Sequence, residues 1–140
     1  MRQSWDEYWL TQAEQTATRS TCNRLHVGCV LVDRFNKIIT TGYNGSIHGH
    51  PHCDEVGCLI REGRCIRTLH AEMNALLHAD MDRCRDGTAY VSHEPCENCT
   101  KALNQVYISR VVFRHPYSNE WNNHFITPME WIHLPGGVSI

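Results

Sequence analysis

His70-Ala71-Glu72, read together with Pro95-Cys96-Glu97-Asn98-Cys99, is the stretch around which this 140-residue chain is organised. One imidazole and two thiolates hold a zinc ion and leave its fourth position open, which separates a catalytic zinc from a closed structural one. Glu72 is not needed as a ligand, so its carboxylate is free to move protons. A lone C-x-x-C also occurs in structural zinc knuckles and redox pairs, and a lone H-x-E carries little. Both together, in this order and with a proline before the first cysteine, are far more specific.

Local geometry restricts how the motif works. Residues two apart in a helix interior point to nearly opposite sides. His70 and Glu72 therefore share a site only if His70 lies at or just before the first turn, with Thr68 as a cap and Met73, Leu76 and Leu77 as the apolar stripe that follows. Cys96 and Cys99 are three apart and share one face of a turn. Pro95 suits a helix start, and a helix N-terminus favours thiolate, the form that binds metal.

Length and composition set the bounds. The chain reads as one domain over residues 1–140, long enough to bury a core. A net charge of -2 without long runs of either sign argues against a polyanion-binding surface, though not against one local basic pocket. No stretch is apolar and long enough to cross a membrane, and the opening Met1-Arg2-Gln3-Ser4-Trp5-Asp6-Glu7 lacks an apolar signal core. The expected location is the cytoplasm, where thiols stay reduced, so eight cysteines point to metal before disulfides.

In chain order, Ser4 and Glu7 have capping-box spacing for a first helix, with Trp5, Tyr8, Trp9 and Ala13 as its core side. Val27–Val32 reads as a buried strand, Asp33–Asn36 as a turn and Lys37–Tyr43 as the return strand of a hairpin. Asp86-Gly87 marks a turn, Thr88–His93 a strand into Pro95, the Cys96 helix runs to Gln105, and Arg110–His115 is another strand. This alternation predicts an α/β sheet with helices on its faces. Thr127-Pro128-Met129-Glu130 is expected to open a short helix that Pro135-Gly136-Gly137 ends.

Residues 44–68 form the longest irregular stretch and hold His48, His50, His52, Cys53, Cys58 and Cys65. Such long loops are usually functional or tied down. The ligand density predicts a second, structural zinc held by four of Cys22, Cys53, Cys58, Cys65 and the nearby histidines, with the four cysteines favoured. Cys29 reads as a small core residue, and Cys84 as a bystander.

Several stretches resemble the deoxycytidylate (dCMP) deaminases of the cytidine deaminase superfamily, especially phage and bacterial competence-operon forms. They are Val27-Gly28-Cys29-Val30, Thr41-Gly42-Tyr43-Asn44-Gly45-Ser46, Arg67-Thr68-Leu69-His70-Ala71-Glu72-Met73-Asn74-Ala75 and Pro95-Cys96-Glu97-Asn98-Cys99. The insertion His52-Cys53-Asp54-Glu55-Val56-Gly57-Cys58 adds to the match, because adenosine deaminases acting on tRNA usually lack it. The likeness runs from about Cys22 to Tyr117. It implies an α/β three-layer sandwich, a central mixed sheet of about five strands with helices on both faces. It implies Zn2+-dependent hydrolysis of dCMP to dUMP, with dCTP as a further substrate. Zinc would sit on His70, Cys96 and Cys99, and Glu72 would relay protons from water to ring N3 and the leaving amino group. Asn44, the Ala71 backbone N–H, Tyr117 and Arg24 would meet the nucleotide. Gly42, Tyr43, Asn44 and Gly45 would take part in binding dCTP and dTTP effectors, in homo-oligomers that are often hexamers.

Blander readings stand beside these. Asn44-Gly45 also reads as a turn, Tyr117 as packing and Arg24 as a solvated cation. Glu94 before Pro95-Cys96 occurs in tRNA adenosine deaminases too, which leaves deamination of a base in RNA as a second reading. A non-catalytic zinc module is the third, and an intact Glu72 counts against it.

Overall fold

The structure, a computed structural model, describes residues 1–117 and 119–136. Helix α1 (Trp5–Ala17) starts where the sequence places its cap: Ser4 Oγ accepts the Glu7 N–H at 3.1 Å. Strands β1 (Gly28–Val32) and β2 (Ile38–Tyr43) form the expected antiparallel hairpin. At its turn the Asp33 carboxylate accepts the Phe35 and Lys37 N–H groups.

Residues 44–69 are less irregular than expected. They hold β3 (Gly45–Ser46), a short α2 (Cys53–Val56), the hairpin β4 (Ile60–Arg61) and β5 (Arg64–Cys65), and β6 (Thr68–Leu69), which pairs with β3. These pieces are too short for a period to show in sequence. Then come α3 (Ala71–Leu77), α4 (Met81–Cys84), β7 (Thr88–His93), α5 (Glu97–Gln105), β8 (Arg110–His115), a 3-10 turn (Glu120–His124) and β9 (Glu130–His133).

Five strands make one mixed sheet in the order β2-β1-β7-β8-β9. β1 is antiparallel to β2 and β7, whereas β7, β8 and β9 run parallel. Every residue of β1 is buried, because both faces of the sheet are covered. Val30 and Val32 face a cluster with Trp9, Leu10 and Ala13 of α1. Cys29 and Leu31 face the other way, onto Ala71, Ala75 and Leu76 of α3 and Leu103 of α5. The result is the expected three-layer sandwich. Each fully buried Leu or Val contributes roughly 1.5–3 kcal/mol to holding the layers together. Two glycines permit the close contact: a Cβ on Gly28 would lie 2.0 Å from the Ala13 carbonyl oxygen, and one on Gly42 would lie 2.3 Å from that of Ala71.

Arg114 bolts α1 to the sheet. Its side chain is fully buried, and its guanidinium donates to Glu7 at 2.8 and 3.1 Å, to Glu14 at 3.1 Å and to the Leu134 carbonyl at 3.2 Å.

Three expectations are corrected. Trp5 and Tyr8 are exposed, at 62% and 39%, because only the Trp9–Leu10–Ala13 side of α1 meets the sheet. Thr68 is a strand residue, and the cap of α3 is His70 itself. The tail forms a strand in place of a helix. Trp131 packs against the α3–α5 core and Ile132 against the α1 core, a period of two that satisfies the open edge of β8. Pro135 and Gly136 follow β9, and Gly137 lies outside the described residues.

Candidate active site

Helices α3 and α5 begin at the same place. His70 caps α3 with extended backbone (φ -65, ψ 151), so its side chain is thrown to the side on which Glu72 lies. Cys96 caps α5 in the same way (φ -73, ψ 170), and Cys99 follows within the first turn. Pro95, one residue before that cap, delivers the chain from the C-terminal end of β7, the end of a parallel strand where α/β sheets place their ligands.

The three donors converge. His70 Nδ1 lies 3.5 Å from Cys96 Sγ and 3.4 Å from Cys99 Sγ. A tetrahedral zinc with ordinary Zn–N and Zn–S bonds would hold N and S roughly 3.5 Å apart. The residues therefore fit the ion. Glu72 is 4% exposed beside them and is not one of the converging donors.

The electrostatics agree. A hydrogen bond from Cys99, together with His70, outweighs burial and pulls the Cys96 thiol down to about 4. Cys99 is pushed well up by its bond to Cys96 and by burial, so without a cation the pair keeps one proton. Cys96 raises His70 in turn. Burial pushes Glu72 up to about 7, against the pull of its own backbone N–H and the His70 charge. A group balanced near neutrality can both take and give a proton.

A second convergence lies in the insertion. The sulfurs of Cys53, Cys58 and Cys65 all lie within 4.8 Å of one another, and Cys53 Sγ and Cys65 Sγ are 3.7 Å apart. That is far beyond a disulfide and close to the roughly 3.8 Å between two sulfurs on one tetrahedral zinc. The backbone N–H groups of Arg67 and Leu59, with Cys53 and Cys58, outweigh burial and bring Cys65 down to about 7. Burial and its bonds to Cys65 and Cys58 push Cys53 up to about 12. Cys22 is not within this close trio, but it is buried next to it. Its segment is tied to α2 by the Asp54 N–H on Thr21 O (3.2 Å) and by Asn23 on Cys53 O (3.1 Å). His52 caps α2 and meets Thr21 Oγ1 at 3.0 Å, while His48 and His50 are exposed. None of the three histidines joins a ligand cluster among the described residues.

Other residues singled out in the sequence are distributed as follows. Asn44 is buried; its side chain accepts from the Val27 N–H and donates to the Leu25 carbonyl, both at 2.8 Å. Ala71 is buried as the first residue of α3, where a backbone N–H has no intrahelical partner. Gly42 is wedged under α3, Gly45 pairs with Leu69, and the Tyr43 carbonyl accepts from Asn74 at 2.8 Å. Arg24 is exposed and donates to the Gly63 carbonyl at 3.2 Å. Cys29 and Cys84 belong to the core. Glu94 accepts the Tyr117 N–H at 3.0 Å and the Trp131 indole N–H at 2.8 Å, so it fastens the tail to the start of the site loop.

A cavity of about 460 Å³ is lined by Glu97, the residue after Cys96, with Arg64, Tyr117, Asn119, Glu120 and Trp121. Of these only Tyr117 stood out in the sequence. Arg64 and Glu97 each adjoin a candidate ligand, Cys65 and Cys96, and that adjacency was the available signal. Asn119 and Trp121 carried none, because the tail brings them in.

Comparison with known proteins gives a consistent picture. The family model described as the cytidine and deoxycytidylate deaminase zinc-binding region matches residues 3–115. ComE operon protein 2 of Bacillus subtilis (strain 168) is 44% identical over 126 residues, covering 85% of this chain and 66% of that protein. The deoxycytidylate deaminase of Schizosaccharomyces pombe is 39% identical over 126 residues, covering 84% of this chain but 39% of that protein. This chain thus spans less than two thirds of the length of either relative. The crystal structure of dCMP deaminase from the cyanophage S-TIM5 in complex with dCMP and dUMP matches with a TM-score of 0.78 at 26% identity, over 96% of this chain and 99% of that one.

Proposed function

Since the chain belongs to the cytidine and deoxycytidylate deaminase family, we propose that residues 1–140 form one zinc-dependent deaminase domain that hydrolyses dCMP to dUMP and ammonia. The observation that carries this reading is the convergence of His70, Cys96 and Cys99 at zinc-ligand spacing, with the buried Glu72 beside them and outside the ligand set.

Zinc, when bound there, supplies Lewis acidity and one open coordination position. Glu72 takes a proton from the attacking water and gives it to N3 of the cytosine ring, which makes C4 electrophilic. The hydroxide left behind adds to C4; Glu72 takes the proton of the added hydroxyl and delivers it to the amino group on C4, and the C4–N bond breaks to release ammonia. One carboxylate does both jobs because it is buried beside the ligands without being one of them, and burial raises its hold on a proton. The Ala71 N–H, free at the start of α3, orients the base. Tyr117 borders the nucleotide, and Asn44 shapes the wall by fixing residues 25–27.

Cys53, Cys58 and Cys65 with Cys22 hold a second, structural zinc. The sulfur spacing and the tie between the Cys22 segment and α2 support this. Turnover of dCTP, effector binding at Gly42–Gly45 and assembly as a hexamer rest on the resemblance, and a cytoplasmic location is supported by eight cysteines that are all unpaired. Among the described residues no helix is long and apolar enough to cross a membrane.

The test is ammonia release from purified holoenzyme offered dCMP, dCTP, deoxycytidine and a tRNA anticodon stem-loop. Turnover of dCMP with none of the stem-loop is the expected result. Turnover of the stem-loop alone would replace this reading with deamination of a base in RNA.

A further inference from the structure

The tail after β8 reaches the zinc ligands from behind, and Asn122 makes the contact. It lies on the 3-10 turn, beyond the residues 3–115 that the family model matches, and is 1% exposed. Its side chain meets both ends of the ligand turn. Nδ2 donates to the Pro95 carbonyl at 2.7 Å, and Oδ1 lies 3.1 Å from the Thr100 hydroxyl. A carbonyl can only accept, so the Pro95 oxygen fixes which way the amide faces. Pro95 precedes Cys96, and Thr100 follows Cys99.

The consequence falls on Cys96. Its own carbonyl accepts the Thr100 N–H at 2.8 Å and lies 2.8 Å from the Thr100 hydroxyl. That hydroxyl has a single proton, shared between the Cys96 carbonyl and Asn122 Oδ1. The peptide before Cys96 is thus held by Asn122 directly, and the peptide after it through Thr100. With both peptide planes held, the extended backbone of Cys96 (φ -73, ψ 170) is fixed, and that backbone aims the thiol. The side chains of Pro95, Thr100 and Asn122 are fully buried, so a partner left unmet there is costly. Fastening the tail does not require the Asn122 amide. The Asn104 side chain holds the Phe125 and Thr127 carbonyls at 2.9 and 2.8 Å, and Asn119 holds Glu97.

We propose that Asn122 is a positioning residue for the zinc site. It holds the peptides on either side of Cys96 so that the Cys96 and Cys99 sulfurs stand at zinc-ligand distance from His70. The proposal rests on the deaminase reading above. Groups that orient metal ligands in this way typically contribute about 10- to 100-fold to metal affinity.

The test titrates zinc-loaded wild type, Asn122→Leu, Thr100→Val, Thr100→Ser and Asn104→Ala with a chelator. Zinc retained per chain and dCMP turnover are read on the same samples, with circular dichroism as the folding control. Loss of turnover marks departure of the active-site ion, as distinct from one held by Cys53, Cys58 and Cys65. Asn122→Leu keeps the volume and removes both bonds, so affinity for that ion should fall by about 10- to 100-fold. Thr100→Val removes the link to the Cys96 carbonyl and should lower affinity several-fold, whereas Thr100→Ser keeps the hydroxyl and should match wild type. Asn104→Ala loosens the tail without touching the ligand turn and should hold zinc as wild type does. Unchanged affinity in both Asn122→Leu and Thr100→Val, or an equal loss in Asn104→Ala, would overturn the proposal while the deaminase reading stands. Should Asn122→Leu fail to fold, Thr100→Val against Thr100→Ser decides. A wild type that deaminates no cytosine nucleotide would overturn the deaminase reading, and zinc retained per chain would still decide the role of Asn122.

Discussion

The two cysteine clusters are built in opposite ways. His70, Cys96 and Cys99 sit on caps and first turns of helices that pack on a five-stranded sheet, so their positions are fixed by backbone anchored in the core. Cys53, Cys58 and Cys65 sit on a four-residue helix, a connecting loop and a two-residue strand, elements too short to hold themselves. In the first cluster the fold organises the ligands; in the second the ligands organise the fold. A metal should therefore matter to chemistry in one place and to local order in the other.

The sharpest way to break that comparison is Cys96→Ser. It should leave a folded protein that has lost one zinc and at least about a thousandfold in turnover, because Lewis acidity of several kcal/mol disappears. Retained activity would show that the first cluster is not the reacting centre. Arg114→Ala attacks the scaffold beneath the first cluster from the far face of the sheet. It removes the buried guanidinium that both Glu7 and Glu14 meet and should cost about 3–5 kcal/mol in urea unfolding. A cost below about 1 kcal/mol would mean that α1 is held by apolar packing alone.

Cys65→Ser should act only on its own region. The second zinc should be lost and hydrogen exchange of residues 44–69 should quicken, with KM for dCMP rising several-fold as the hairpin that lines the cavity loosens and kcat nearly unchanged. Loss of kcat with intact KM would erase the distinction between the clusters. The smallest effect concerns pH. Burial and the neighbouring His115 push His93, at the end of β7, down to about 4. The folded protein thus prefers neutral His93, whereas the unfolded chain protonates near 6.5. Stability should be insensitive to this group above 6.5 and fall as pH drops from 6.5 towards 4. His93→Gln should flatten that part of the curve; an unchanged slope would assign the acid sensitivity elsewhere.

The same contrast explains what could be read from the sequence. His70, Glu72, Cys96 and Cys99 were legible as a paired short motif whose spacing places them at helix starts, and β1 was legible as an unbroken apolar run. The ligand trio of the insertion was visible as composition, but not as geometry, since its pairing depends on elements of two to four residues. Trp131 and Ile132 alternate over too few residues to overcome the helix signal of Thr127-Pro128-Met129-Glu130. Arg64 and Trp121 are ordinary surface residues until hairpin and tail bring them to one cavity.

The central claim is that Glu72 moves protons beside a zinc it does not hold. Glu72→Gln tests it most directly, with zinc per chain and dCMP turnover measured on the same preparation. The expected result is wild-type zinc content with turnover reduced by about a hundred- to ten-thousandfold. Loss of zinc together with activity would make Glu72 a ligand or a structural prop, and undiminished turnover would remove it from the chemistry.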